Sequence, residues 1–272
     1  MDSNQTSGAL NVAVAAALDA GKLIQQGIDR LDRVKVTQKS PSELVSEIDI
    51  QVEQLIIEQL ASAYPEIGVL AEESGHSPRD GELCWVIDPL DGTHNFLHGL
   101  PHCCTSIALQ QMVKGQAPGN VLVAVVYDPF RNELFSARKG QGAQLDGRRI
   151  RVSDTSKLTD SLLCTGYPGR HSAHSKAWLK SFAAALPRAR SVHRNGSSIL
   201  DLAWLASGRY DACFAYGLQH WDLAAGALLV REAGGLISDL GGNDNLFDSG
   251  NIVAGNPKVY EKLNHLLTGA RV

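Results

Sequence analysis

Trp85-Val86-Ile87-Asp88-Pro89-Leu90-Asp91-Gly92-Thr93-His94-Asn95-Phe96 is the stretch whose reading decides the fold. Trp85, Val86 and Ile87 are large and β-favouring. Pro89 has no N–H to give to a ladder, so a strand is predicted to end at about Asp88. Asp88 and Asp91 then stand three residues apart on a tight, irregular turn. Two carboxylates held that close repel, and one pKa rises unless a cation sits between them. Oxygen-only ligands suit Mg²⁺, a hard ion that keeps several waters and is completed by substrate phosphate. Gly92-Thr93 reads as a helix start, where free N–H groups and the helix dipole favour an anion. Taken alone, the segment is equally well an acidic β-turn with an Asx cap. The remainder of the chain supplies the context.

The chain has 272 residues, enough for one large domain or two. Hydrophobic residues make up 44% and charged ones 20%, as in ordinary globular proteins. A net charge of −4 argues against a general binder of nucleic acid or membrane surface, while leaving room for a local basic patch. No stretch reads as long and apolar enough to span a membrane. Met1 to Gly8 is polar and lacks a basic segment, so no signal peptide is expected. The cysteines are Cys84, Cys103, Cys104, Cys164 and Cys213, an odd number without a C-x-x-C pair. Structural zinc and a disulfide framework are therefore not expected. Small buried hydrophobes in a reducing cytoplasm are the preferred reading.

Ala9 to Leu31 is apolar at helical spacing. Val34 to Ser40 reads as a short extended or loop segment carrying Lys35 and Lys39, and Pro41-Ser42 as a turn. A second helix is predicted from Ser46, with Asp49 three residues on as a capping-box partner. Its apolar stripe is Ile48, Val52, Leu55, Ile56 and Leu60, and Tyr64-Pro65 ends it. Ile67 to Ala71 is a short strand that delivers Glu72-Glu73-Ser74, and Gly75 to Gly81 reads as polar loop. Beyond Pro101 come short strands at 104–112, 121–127, 133–137, 142–145 and 148–152. The turn signals Lys114-Gly115, Asp128-Pro129, Lys139-Gly140 and Asp146-Gly147 separate them, which is an antiparallel meander. From Leu158 on, strands at 161–165, 191–194, 210–215, 236–239 and 251–254 alternate with helices at 175–186, 197–206, 221–233 and 257–267. That alternation suggests a layered α/β second half. With no repeat or flexible linker, residues 1–152 (helices, antiparallel sheet and metal site) and 153–272 (α/β, supplying Asp222) are expected to pack as one unit.

Glu72, Asp88, Asp49 and Asp222 each fall at the end of an element, where side chains can converge in a cleft. Singly, each is a common helix-start or turn acid. Four together, one of them in the Asp88–Asp91 turn, point to a metal site.

The same residues carry a resemblance. Trp85 to Phe96 looks like the first signature of the inositol monophosphatase family, D-P-L-D-G-T-x-N-F, and Trp221 to Gly235 looks like its second. Ala71-Glu72-Glu73-Ser74 is similar to the family's G-E-E-S element. Val45-Ser46-Glu47-Ile48-Asp49 matches V-T-x-x-D, with Ser46 for Thr, and Lys39-Ser40-Pro41 also fits. The matches follow family order over essentially the whole chain. Gly208-Arg209-Tyr210-Asp211-Ala212 and the run from Asp222 to Val230 most resemble the bacterial SuhB-type (extragenic suppressor) members.

The resemblance implies a layered α-β-α-β-α sandwich, a cytoplasmic homodimer, Mg²⁺ dependence and lithium inhibition. It implies that Glu72, Asp88, the Leu90 carbonyl and Thr93 surround a first metal and that Asp88, Asp91 and Asp222 hold a second. Glu72 would share a weaker third. Water polarised by Glu72 and Thr93 would attack phosphorus in line, with Asp49 orienting the Thr93 hydroxyl. The Gly92 and Thr93 amides would hold phosphate oxygens, and Ser198 would line the substrate pocket with a backbone amide. The expected substrate is inositol 1-phosphate. Relatives acting on nucleotide bisphosphates or histidinol phosphate, and the link of SuhB-type members with RNA polymerase and transcription antitermination, stand as alternatives. In two places this chain departs from the family pattern. Inositol-specific members usually carry a Glu seven residues before the signature Asp; here that residue is Ala215, which offers no acceptor and weakens discrimination. The second Thr of D-G-T-T-N-F is His94. His94, His98 and His102 mimic a metal-binding helix face, but Gly99 and Pro101 interrupt it, so surface or satisfied histidines are expected. His171 and His174 are expected to be solvated.

Overall fold

A computed structural model describes residues 3–40, 43–79, 81–113, 117–168 and 172–269. Pro41, Ser42, Lys114, Gly115 and His171, with the side chain of Lys39, lie outside the described residues. The first half runs α1 (Ser3–Ile28), β1 (Val36–Ser40), β2 (Glu43–Ser46), α2 (Glu47–Ala63), β3 (Gly68–Ala71), β4 (Gly75–Ser77), β5 (Leu83–Asp91) and α3 (Thr93–Leu97). The meander follows as β6 (Cys104–Val113), β7 (Ala117–Asp128), β8 (Glu133–Arg138), β9 (Gly142–Leu145) and β10 (Arg148–Arg149). The second half is β11 (Leu162–Thr165), α4 (Ser175–Ala185), β12 (Ser191–His193), α5 (Ser198–Ala206), β13 (Ala212–Ala215), α6 (His220–Glu232), β14 (Leu236–Asp239), α7 (Leu246–Ser249), β15 (Ile252–Gly255) and α8 (Pro257–Gly269).

Two large sheets set the layers. One has eight strands in the order β10-β9-β8-β7-β6-β5-β3-β4 and the other five, β12-β11-β13-β15-β14. On the outer face of the first sheet, α1 and α2 bury Ala13, Ala17, Ala20, Val52 and Ile56 against Trp85, Ile107 and Val125. Between the sheets lie α5 and α6, whose Leu200, Leu205, Leu228 and Leu229 share a core with Ala124, Phe135, Cys213 and Ala254. On the far face, α8 packs Val259 and Leu263 under Phe214 and Val253. The result is the five-layer α-β-α-β-α sandwich.

Four expectations are corrected. The strand does not stop at Asp88. β5 continues to Asp91, and three residues from Asp88 to Asp91 face two from Ser106 to Cys104, a β-bulge that absorbs Pro89. Gly75 to Gly81 is not all loop, since β4 pairs antiparallel with β3. The short α7 was not expected at all. Finally, α1 is long and apolar enough to cross a membrane by length and composition. Its buried face of alanines at helical spacing instead packs on α2 and β7, as a core helix does.

Between the sheets α5 and α6 approach closely at Gly226. A Cβ there would sit 2.5 Å from Leu202 Cδ1 and 2.7 Å from Leu202 Cβ. Leu202 is fully buried and its own Cβ cannot swing aside. Gly226→Val is therefore expected to destabilise the protein by about 1–3 kcal/mol, against a helix-propensity gain of only a few tenths. A wild-type urea midpoint for this variant would refute the close approach.

Candidate metal centre

The bulge in β5 and the parallel register of β3 with β5 build the centre. Leu90 N donates to Asp88 Oδ1 at 3.0 Å, which folds the bulge around the carboxylate. Ala71 stands opposite Ile87, so Glu72 emerges beside Asp88, and Glu72 N donates to Ile87 O at 3.3 Å. Asp222 arrives from the other half of the chain, in the first turn of α6. There it accepts from Gln219 N at 2.7 Å in a capping box. One carboxylate oxygen each of Asp88, Asp91 and Asp222 lies within 4.8 Å of the others.

Separate restraints hold the acids in place. Asp91 Oδ2 accepts from Ser197 Oγ at 2.6 Å and Ile199 N at 2.8 Å, at the N-terminus of α5. Burial pushes the Asp91 carboxyl up, while these bonds and those from the Ser198 and Gly92 amides pull it down. The Ser198 amide, expected on substrate, thus faces a carboxylate of the protein. Asp49 serves twice. Its Oδ2 accepts from Ser46 N at 2.8 Å, completing the capping box of α2, and its Oδ1 accepts from Thr93 Oγ1 at 3.1 Å. Thr93 Oγ1 also lies 3.0 Å from Leu90 O. Burial raises the Asp49 carboxyl, and the Ser46 and Thr93 bonds oppose that. Gly92 takes φ 91°, and a Cβ there would fall 2.9 Å from His102 O, so the turn into α3 needs glycine.

Asp88 tests whether a cation fits. It is 2% exposed. Burial, then the charges of Glu72, Asp91, Asp222 and Asp49, all push it well above the usual carboxylate range. A buried acid among acids is stabilised by a cation of matching chemistry. An oxygen-only donor set fits a hard divalent ion such as Mg²⁺.

Other expected positions fall elsewhere. Ala215 ends β13 at 2% exposed, within the core between the sheets. The Tyr216 hydroxyl is bonded to Ser181 Oγ at 2.6 Å. His94 and His98 are exposed, and His174 is half-buried beside the Tyr216 ring, rather than solvated. His102 departs from the expectation of a surface or satisfied residue. Its Nε2 is buried without a hydrogen-bond partner, its ring edge-on to Trp204 at 5.1 Å. All five cysteines are free and buried, and burial pushes the Cys84 thiol up to about 11.

Sequence reasoning missed several supports. His220 Nε2 lies 2.6 Å from Gln110 Oε1. Gln110 Nε2 donates to Gly119 O at 2.9 Å, so Oε1 is the acceptor and His220 donates, pinning the start of α6 to β6. Burial pushes His220 down to about 4, which keeps it neutral. Asn95 Nδ2 donates to Asn195 O at 2.9 Å, and Asn195 Nδ2 to Asp201 Oδ1 at 3.0 Å, tying α3 to α5. Glu53, on α2, accepts from the Glu73 and Ser74 amides. None of these pairs has a local spacing signal, except that Glu53 follows Asp49 by one helical turn.

A model of the inositol monophosphatase family matches residues 6–270. Nus factor SuhB of Pseudomonas aeruginosa is 45% identical over 259 residues, 93% of each chain. The crystal structure of extragenic suppressor protein suhB from Bartonella henselae superposes with a TM-score of 0.90 at 38% identity, covering 96% of this chain and 98% of that one. Inositol monophosphatase from Anabaena (Nostoc) gives 0.83 at 34% identity, covering 97% and 96%.

Asp201, buried in α5, yields a pH prediction. Burial pushes its carboxyl up to about 7, against the bond from Asn195. The folded state then keeps a proton that the unfolded chain releases near 4, so stability falls as pH rises from about 4 to about 7 and levels off above. Asp201→Asn mimics the neutral form. In EDTA, its stability relative to wild type is expected to grow between pH 5 and pH 8, by on the order of 2 kcal/mol. Equal differences in urea unfolding free energy at the two pH values would contradict this.

Proposed function

The chain belongs to the inositol monophosphatase family, with its phosphatase-type fold, and on that premise we propose that it hydrolyses a phosphate monoester with Mg²⁺ as cofactor, most readily inositol 1-phosphate. The observation that carries this reading is the convergence of Asp88, Asp91 and Asp222 beside a Thr93 hydroxyl bonded to Asp49. Asp88, Asp91, Asp222, Glu72 and the Leu90 carbonyl would hold Mg²⁺, which would supply Lewis-acid stabilisation of phosphoryl oxygens and lower the pKa of water. Thr93 has a single hydroxyl proton, and Asp49 or the Leu90 carbonyl receives it. Its lone pairs are then left to accept from, and orient, an attacking water. The family resemblance gives Glu72 the role of taking that water's proton. The Gly92 and Thr93 amides are the phosphate contacts that the family resemblance implies, the Gly92 amide being shared with Asp91. The same resemblance leads us to expect a cytoplasmic homodimer.

Substrate choice is read from Ala215. Ala215 is enclosed in the core and offers no acceptor, and a site without a hydroxyl contact discriminates by only ~1–3 kcal/mol. The test is phosphate release from inositol 1-phosphate, glycerol 2-phosphate, a nucleotide bisphosphate and histidinol phosphate, with Mg²⁺ and with EDTA. Inositol 1-phosphate is expected to lead by a modest factor with Mg²⁺, and EDTA to stop the reaction. No release from any of them overturns the reading. A second reading, partnership in a transcription complex, is favoured by the 45% identity to a relative named a Nus factor. Capture of RNA polymerase from extract by the immobilised protein tests it.

Asp91→Asn removes a charge but keeps an acceptor for Ser197 or Ile199. It is expected to fold normally and to lose at least the ~10–100-fold in kcat/KM that an outer-shell change costs. Near-normal turnover at low Mg²⁺ would remove Asp91 from the ligand set. Lithium is expected to inhibit at millimolar levels and less at higher Mg²⁺, as family resemblance implies. Initial rates in a two-way titration settle the point, and rates indifferent to lithium count against it.

A further inference from the structure

We propose that Glu53 is a positioning residue of the metal centre, holding the Glu72-Glu73-Ser74 turn, and with it the Glu72 carboxylate, beside Asp88. The inference rests on the Mg²⁺ phosphatase reading above and deepens it. Glu53 lies on the buried face of α2 with Ile48, Val52, Ile56 and Leu60, where packing alone calls for an apolar residue. It is 3% exposed. A carboxylate withdrawn from water that far is costly unless strong bonds compensate it. Two do. Glu53 Oε2 accepts from Glu73 N at 2.8 Å and Oε1 from Ser74 N at 2.7 Å, so both oxygens are engaged by consecutive amides.

Those amides belong to the residues that follow Glu72. The Glu72 amide itself is tied to β5 through Ile87 O. The backbone carrying Glu72 is therefore clamped between β5 on one side and α2 on the other. Glu72 needs that clamp, because the β3–β5 register brings it out beside Asp88 and a like charge. Two like charges drift apart unless the backbone prevents it. One helical turn before Glu53, Asp49 fixes the Thr93 hydroxyl. A single face of α2 thus orients two groups that come from different loops of the chain. Sites of this kind lose function when their supports loosen by fractions of an ångström.

Glu53→Gln keeps the size but turns an NH₂ toward one of the two amides. The readout is the rise in Tm with Mg²⁺, titrated by thermal unfolding without substrate, together with the Mg²⁺ dependence of phosphate release. The Mg²⁺ concentration at half-effect is expected to rise about tenfold in both, as loss of an outer-shell partner does. KM for substrate at saturating Mg²⁺ should change less. Val52→Ala, one residue away on the same helix, lowers stability by leaving a cavity but removes no hydrogen bond to the turn. It is expected to keep the wild-type Mg²⁺ midpoint. Glu53→Asp retains the charge and withdraws it by one methylene. It should fold and shift the midpoint by a smaller factor, and it decides the matter if Glu53→Gln does not fold. A Glu53 variant with the wild-type midpoint, or Val52→Ala shifting it as far, overturns the inference alone. A wild type that responds to Mg²⁺ in neither Tm nor activity overturns the phosphatase reading and this inference with it.

Discussion

Mutual repulsion among the carboxylates gathered around the buried Asp88 is the constraint on which this structure depends. Asp88 is enclosed, and Glu72, Asp91, Asp222 and Asp49 all act on it with the same sign. Left to themselves these groups would separate or take up protons. Each is instead tied down by its own element. Asp49 closes the capping box of α2, Asp222 that of α6, and Asp91 takes the first amides and hydroxyl of α5. Hydrogen bonds to a charged acceptor are worth roughly 1.5–3 kcal/mol each, enough to hold geometry but not to erase the repulsion. The fold thus stores a demand for positive charge at one place.

The layering explains why elements so distant in the chain meet there. Helices α5 and α6 are sandwiched between two sheets, so α6 buries every residue from Leu223 to Val230. Both helices bring their N-termini, carrying Ser197 and Asp222, to the acid cluster. The amide-rich end of α5 then steadies Asp91, as the helix dipole favours. Gly226 lets the two helices approach closely at Leu202, and Gln110 with His220 fixes α6 on β6.

Much of this was legible in the sequence, and the remainder was not for definite reasons. The capping box at Ser46 and Asp49 is local, three residues apart, and could be read directly. Alternation of apolar and turn residues located the meander. Pro89 misled because the proline rule describes a regular ladder, whereas a bulge gives the missing N–H nothing to pair with. The apolar length of α1 was underrated in the sequence, though its helical spacing was read and its alanines pack against protein. Glu53 stayed hidden because a helical stripe is read by its apolar members, and its partners lie twenty residues on. His220 was overlooked for a similar reason. The histidines with a regular spacing, His94, His98 and His102, attracted the eye, while the one built into the site pairs with a residue 110 positions away.

The two sides of the site differ in how much they specify. On the acid side Asp49 has both oxygens bonded, and Asp88, Asp91 and Asp222 each have one carboxylate oxygen fixed by a hydrogen bond. At Ala215, where the family resemblance expects a hydroxyl contact, there is little to recognise an alcohol. Its methyl is enclosed in the core, and the neighbouring Tyr216 hydroxyl is already committed to Ser181. A polyol hydroxyl would find neither a charge nor an idle acceptor in that pair. Strong selection comes from buried polar groups that are left unpaired by the wrong substrate, and an alanine with a satisfied tyrosine leaves nothing unpaired. On the proposed phosphatase reading, a site so arranged would gain its energy from the phosphoryl group and the acids around it, and would tolerate different alcohols for the same reason.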